Sequence, residues 1–319
     1  MTKGSTEAYC GIGEPMFSVV MPAFDAAATL GASIRSVLAQ TRGDWELIVV
    51  DDGSRDGTAA VAKSFDDPRV KLIPTQHAGI AAARNLALGH ATGEYISLLD
   101  GDDLYLPTYL DRMGSALDSD PGAALAYTQA WVLDDRTGRV RRRTTAAAFQ
   151  PWPEKNPESP AEIVRELTRG SFVFVATTAR RSVYRQLGGF REDIFGAEDY
   201  EMWLRFARAG HRFARVSEPL VIYRRREGSI SANAGRDDRT VVMFELLAGD
   251  AELDDETRRA YEDRARVERA RLEKVGAPSG RTRTWLRSVV RRLTWRRLTY
   301  SHPPAAISAT VELALRRPG

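Results

Sequence analysis

The sequence predicts an α/β fold: a sheet flanked by helices and followed by a C-terminal helical extension. Three observations carry this. Short apolar runs alternate with helix-spaced segments four times before residue 100. Such alternation implies parallel strands joined by crossover helices. Acidic and glycine-rich turns close the second and fourth runs. Beyond residue 120 the alternation gives way to a hairpin signal and then to helices.

The elements follow in order. Residues 17–21 are β-rich and end at Pro22, and 26–40 place Leu30, Ile34, Val37 and Leu38 at helical spacing. Residues 45–50 read as a buried strand, 57–65 as a helix, 70–73 as a strand and 79–91 as an alanine-rich helix. A fourth strand over 95–99 runs into Asp100. Residues 123–133 and 139–143 flank Asp134-Asp135-Arg136-Thr137-Gly138, a hairpin signal. Four prolines make 150–160 a loop. Helices are expected over 163–169, 181–187 (closed by Gly188-Gly189), 199–209, 240–247 and 255–275, with strands over 172–177 and 220–224.

Composition narrows the function. The chain has 319 residues, 43% of them hydrophobic and 28% charged, enough for one or two globular domains without disulfide staples. Cys10 is the single cysteine, so no internal disulfide and no cysteine-based zinc site can form. Residues 1–15 carry Glu7 and Glu14 and no long apolar run, and are expected to be a flexible leader rather than a signal peptide. Nine arginines against one acid, Glu312, give residues 276–319 a formal +8; the total of +3 then leaves −5 on the rest. An acidic body disfavours nucleic acid as a partner.

Leu99-Asp100-Gly101-Asp102-Asp103 sets three carboxylates directly after a strand. Carboxylates this close repel unless a cation lies between them, and hard cations such as Mg²⁺ or Mn²⁺ take oxygen ligands. The bland alternative is a solvated acidic turn. Asp51-Asp52-Gly53-Ser54 ends the second strand and suits either a base or ribose contact or an Asx turn. Arg84-Asn85 could offer a guanidinium to a diphosphate, or simply lie on the surface. Glu198-Asp199 opens a helix, as a general base or as a cap. No P-loop, nucleophile elbow or His-Glu-x-x-His motif occurs, and Gly11-Ile12-Gly13 lacks a third glycine.

Several ordered segments resemble family 2 glycosyltransferases of GT-A fold. They are Ser18 to Asp25, Val50-Asp-Asp-Gly-Ser-Arg-Asp-Gly-Thr58, Gly79 through Arg84-Asn85, Gly93 to Asp103, Gly188-Gly-Phe-Arg-Glu192, Glu198-Asp-Tyr-Glu201, and Tyr223-Arg224 to Ser231. The resemblance spans about residues 16–233. It implies an inverting transferase acting on a nucleotide-diphosphate sugar, with UDP-sugars favoured, and a divalent cation, Mn²⁺ or Mg²⁺.

Carried over by position, Pro22, Ala23 and Phe24 would line the base and ribose pocket, and Asp52 would bind the base. Arg84 would approach the diphosphate. Asp100, Gly101 and Asp102 would form the DxD element, with Asp102 ahead of Asp100 as metal ligand. Asp199 would be the catalytic base. Many relatives have a histidine where Arg226 stands here.

The expected organisation is a leader (1–15), a GT-A domain (16–235), a helical extension (236–275) and a basic amphipathic tail (276–319). The GT-A domain would divide into a nucleotide-sugar half (16–110) and an acceptor-side half (111–235). The acceptor would be a glycan, a lipid-linked glycan or another hydroxyl compound, in cell-surface polysaccharide or glycolipid synthesis. The expected location is the cytoplasm. Tryptophans and arginines over 281–298 suit peripheral docking on an anionic membrane face, a solvated terminal helix being the alternative. The rival functions are a metal-dependent nucleotidyltransferase and a catalytically silent sugar-nucleotide-binding protein.

Overall fold

A computed structural model describes residues 14–143, 152–226, 238–276, 307 and 309–312. Strands β1 (Phe17–Ala23), β2 (Trp45–Asp52), β3 (Val70–Thr75) and β4 (Tyr95–Leu98) form the first half of one sheet. They lie in the order β3-β2-β1-β4, all parallel. Helices α1 (Leu30–Leu38), α2 (Thr58–Lys63) and α3 (Ile80–His90) make the crossovers. Every residue of β1 and β2 is buried, so these strands read as continuous apolar runs rather than alternating ones.

The polar exceptions inside are paired. Glu46 accepts from Ser18 Oγ at 2.6 Å, from Lys71 Nζ at 2.7 Å and from Thr92 N at 2.7 Å. Burial opposes its charge, but these donors outweigh burial and hold its pKa at about 2.

The chain moves outward from β1 to β2 and β3, then returns through α3 to β4 on the other side of β1. The order therefore reverses between β1 and β4, and in such sheets the crevice beyond the carboxyl ends of the strands at that point receives ligands. There, Gly101 N donates to Pro22 O at 3.3 Å, which draws the turn after β4 against the end of β1. A Cβ at position 101 would come within 3.1 Å of that carbonyl.

The second half is mixed. It contains β5 (Leu104–Tyr105), α4 (Tyr109–Ser119), β6 (Ala123–Asp134), β7 (Arg139–Arg143), α5 (Pro160–Arg169), β8 (Thr177–Arg180), α6 (Arg181–Leu187), α7 (Glu198–Arg208) and β9 (Arg212–Arg225). The sheet continues β4-β8-β6-β9-β5, with β7 hydrogen-bonded to β6 as the expected hairpin. Only β6 and β9 pair in parallel here. Helices α8 (Arg239–Ala248) and α9 (Asp255–Gly276) pack on α7 through Phe244, Tyr200 and Tyr261.

Four elements differ from the sequence reading. Residues 172–176 are buried, but only 177–180 join the ladder; hydrophobicity reports burial, not pairing. Strand β9 begins at Arg212, not residue 220, and the polar, proline-containing stretch Glu218-Pro219 coincides with its register shift against β6. Helix α1 starts at Leu30, after a turn in which Ala26 N and Ala27 N donate to Thr58 Oγ1 and Asp56 Oδ2. Helix α4 is amphipathic, burying Leu110, Met113 and Leu117, and was not expected. Of the expected tail, Ile307 and Val311 are buried with Leu104, Trp131, Leu133 and Ile222. The segment 281–298 lies outside the described residues.

Candidate active site

The sequence-singled residues converge at the carboxyl ends of β1, β2 and β4. Pro22 and Ala23 end β1, and Phe24 follows with its ring 43% exposed. That ring stacks on His77, with centroids 4.2 Å apart. Asp52, buried at the end of β2, accepts from His77 Nδ1 (2.9 Å), Ala78 N (2.8 Å) and Gly79 N (2.9 Å). Its carboxylate thus holds the turn that supports the Phe24 ring. Asp51 makes the Asx turn, accepting from Ser54 N at 3.1 Å, with Gly53 at φ +72°.

After β4, the three carboxylates separate by partner. Asp103 is buried and accepts from Arg224 N of β9 at 2.9 Å, a structural tie. Asp100 accepts from Arg84 Nη2 at 2.7 Å, and Asp102 from Arg226 Nη2 at 3.0 Å. Both side chains keep a quarter of their surface exposed. Burial, then the charge of Asp100, push the Asp102 carboxyl above the usual carboxylate range, against the pull of Arg226.

Arg84 is 1% exposed, which overturns the surface reading of that residue. Its Nη1 donates to Glu198 Oε1 at 2.6 Å while Nη2 holds Asp100. Burial disfavours the guanidinium charge, but Asp100, Glu198 and Asp199 outweigh it and raise its pKa. Asp199 stands in the first turn of α7 and accepts from Tyr200 N at 2.8 Å. Burial first, and then the charge of Glu198, push its carboxyl up to about 7. A carboxyl pushed toward neutrality at the carboxyl ends of the strands suits proton abstraction.

Asp100, Asp102, Glu198 and Asp199 therefore face two guanidiniums, Arg84 and Arg226. Fully ionised, the group carries two negative charges more than positive, the charge one divalent cation would offset. Among the described residues no three His, Cys, Asp or Glu side chains form a ready cage. A two-carboxylate donor set completed by phosphate oxygens fits Mg²⁺ or Mn²⁺ chemistry.

One contributor and one partnership escape the sequence reading. His77 lies 25 positions from Asp52, and only the adjacency of β2 and β3 brings them together. Glu198 had a signal, its place beside Asp199, but not the partner, Arg84, 114 positions away.

Residues 18–188 match the family model described as glycosyl transferase family 2. The chain belongs to glycosyl transferase family 2. This family 2 enzyme is 34% identical over 222 residues to EpsE of Bacillus subtilis (strain 168), covering 67% of its own length and 74% of that relative. It is 44% identical over 103 residues to the UDP-Glc:alpha-D-GlcNAc-diphosphoundecaprenol beta-1,3-glucosyltransferase WfgD of Escherichia coli, covering 32% of its length and 41% of WfgD. The fold matches the crystal structure of S. aureus TarS 1-349 in complex with UDP-GlcNAc. The TM-score is 0.59 at 19% identity, over 80% of this chain and 72% of that one. The glycosyltransferase is thus of GT-A fold. Among its described residues no helix is long and apolar enough to cross a membrane.

Proposed function

We propose that this glycosyltransferase moves a sugar from a nucleotide-diphosphate sugar, UDP-sugars favoured, to an acceptor hydroxyl with inversion at the anomeric carbon. The observation that carries the reading is that one buried guanidinium, Arg84, joins Asp100 of the DxD turn to Glu198, the neighbour of Asp199. A candidate base and a candidate donor-holding carboxylate thus share one end of the sheet. Pro22, Ala23 and the exposed Phe24 face would hold base and ribose, with Asp52 and His77 behind them. Gly101 lets the DxD turn lie against that pocket.

Asp199 would accept the acceptor hydroxyl's proton as the oxygen attacks the anomeric carbon. A divalent cation at Asp102 and Asp100 would offset charge on the departing nucleoside diphosphate, so no carboxylic acid is required to protonate it. Arg226, beside Asp102, adds a fixed positive charge there.

WfgD by its name uses UDP-glucose and a diphosphoundecaprenol acceptor, which supports a UDP-sugar donor and a lipid-linked acceptor in surface-glycan synthesis. A +8 segment over 276–319 supports peripheral docking on an anionic membrane face. The nucleotide-sugar half is proposed to end near residue 110 and the acceptor-side half near 235, with the helical extension and tail beyond.

The test is a thermal-shift panel of UDP-, GDP- and dTDP-sugars with Mn²⁺ or Mg²⁺. The expected result is metal-dependent stabilisation by a UDP-sugar, and an inverted product anomer by NMR. No metal-dependent shift with any nucleotide, or retention of configuration, would overturn the reading.

A further inference from the structure

Arg84 and Asn85 stand side by side on α3 and hold opposite parts of the site. Arg84 reaches Asp100 on the donor side and Glu198 on the acceptor side, with its guanidinium 5.4 Å from the Phe190 ring centroid. Asn85 pairs with residue 190 like a short piece of sheet. Its Oδ1 accepts from Phe190 N at 2.7 Å, and its Nδ2 donates to Phe190 O at 2.9 Å and to Glu192 Oε1 at 2.9 Å. The approach requires glycine at 189, where φ is +79° and a Cβ would lie 2.6 Å from Asn85 Oδ1. From the other side, Arg205 of α7 donates to Leu187 O and Gly189 O, both at 2.7 Å.

We propose that Arg84 and Asn85 form a two-sided clamp that sets the base-bearing segment 190–199 against Asp100, Arg84 being a positioning residue rather than a diphosphate ligand. The proposal rests on the glycosyltransferase reading of Asp100 and Asp199 above, and deepens it. Both Nη atoms of Arg84 are engaged and the side chain is buried. Its Nε is buried as well and has no hydrogen-bond partner among the described residues, and at 1% exposure the guanidinium fork presents no open edge for bidentate contact with a phosphate. What remains is a shared cation. Glu198 and Asp100 compete for one guanidinium, so a change at either carboxylate alters the hold on the other. Through Arg84 the acceptor-side helix and the donor-side turn are coupled, although Glu198 and Asp100 lie on different elements.

The full-length chain and its Glu198→Gln, Arg84→Lys and double variants test the clamp. Glutamine keeps an acceptor for Arg84 but removes its charge, so Arg84 should bind Asp100 more firmly. The expected result is at least fivefold weaker binding of Mn²⁺ alone, read from the free-ion EPR signal. Metal-free UDP affinity by calorimetry should stay within twofold of wild type in both single variants. The effect of Glu198→Gln on Mn²⁺ should vanish in the Arg84→Lys background. Tenfold weaker metal-free UDP binding by Arg84→Lys would make Arg84 a diphosphate ligand and overturn the proposal. So would Mn²⁺ affinity unchanged by Glu198→Gln, a variant that suffices if Arg84→Lys does not fold.

A readout without donor separates the two claims. Asn85→Ala should speed amide hydrogen exchange over 190–199 at least tenfold, and unchanged exchange would overturn the clamp. Failure of the wild-type chain to bind UDP or Mn²⁺ at all would tell against the donor reading, and the exchange result would then decide the clamp.

Discussion

Asp199 and Glu46 show one fold moving two carboxylates in opposite directions. Asp199 is pushed up to about 7 by burial and by Glu198. If it is the base it must be ionised, so activity should rise with pH through about 7, and at pH 5 only about one molecule in a hundred would be competent. Nucleoside diphosphate release against pH measures this; a rate flat between pH 5 and 8 would remove Asp199 as base. Asp199→Asn should lower kcat by about 10²–10⁴-fold with little change in donor KM, the range a general base supplies. Glu46 is held at about 2, below its ordinary 4.5. Its stabilisation is present above the ordinary value and lost as pH falls toward 2. The shift is worth about 2 kcal/mol once screening at the half-exposed Lys71 is allowed for. Urea denaturation of wild type and Glu46→Gln should therefore differ clearly at pH 6, less at pH 3, and converge only near pH 2.

Among the elements, α5 shows how far sequence reaches. Ser159 accepts from Glu162 N at 3.3 Å and Glu162 Oε2 accepts from Ser159 N at 3.2 Å, a capping box with Pro160 in the first turn. The helix buries Ile163 and Leu167, and the Leu167 carbonyl accepts from Oη of Tyr200, the residue after Asp199 in the first turn of α7. Ser159→Ala should cost about 1 kcal/mol in urea denaturation and shift the catalytic helix little. That box is local, but the four prolines set 150–160 down as a loop, and the expected helix begins at 163, three residues late. Strands β1, β2 and β4 were legible, because strands buried on both faces leave apolar runs between turn residues. The DxD turn and the Glu198-Asp199 pair could be read as clusters. What no local pattern holds is a partner at long separation: Arg84 with Glu198, Asp52 with His77, Asp103 with Arg224. Nor does hydrophobicity distinguish residues 172–176, buried without pairing, from a strand, and the two-residue β5 is too short to show a period.

Across the whole molecule, charge and packing make different demands on the C-terminal residues. The formal +8 over 276–319 argues for docking on an anionic surface. Ile307 and Val311, in the same stretch, cover Trp131, Leu133 and Ile222. Truncation after residue 276 would remove both properties at once. Uncovering two buried aliphatic side chains costs about 3 kcal/mol, or roughly 4–5 °C in Tm for a chain of this size. Loss of vesicle binding by such a truncation would therefore reflect damage as much as charge. Replacing Arg287, Arg291, Arg292, Arg296 and Arg297 by glutamine removes five charges and leaves Ile307 and Val311 in place. At about 1 kcal/mol per basic residue near an anionic surface, that change should weaken binding by several orders of magnitude. The expected outcome is flotation of wild type with anionic liposomes and none of the five-fold variant, at unchanged Tm, with nucleoside diphosphate release from soluble donor also unchanged. Equal flotation of the two proteins would detach membrane docking from the basic segment.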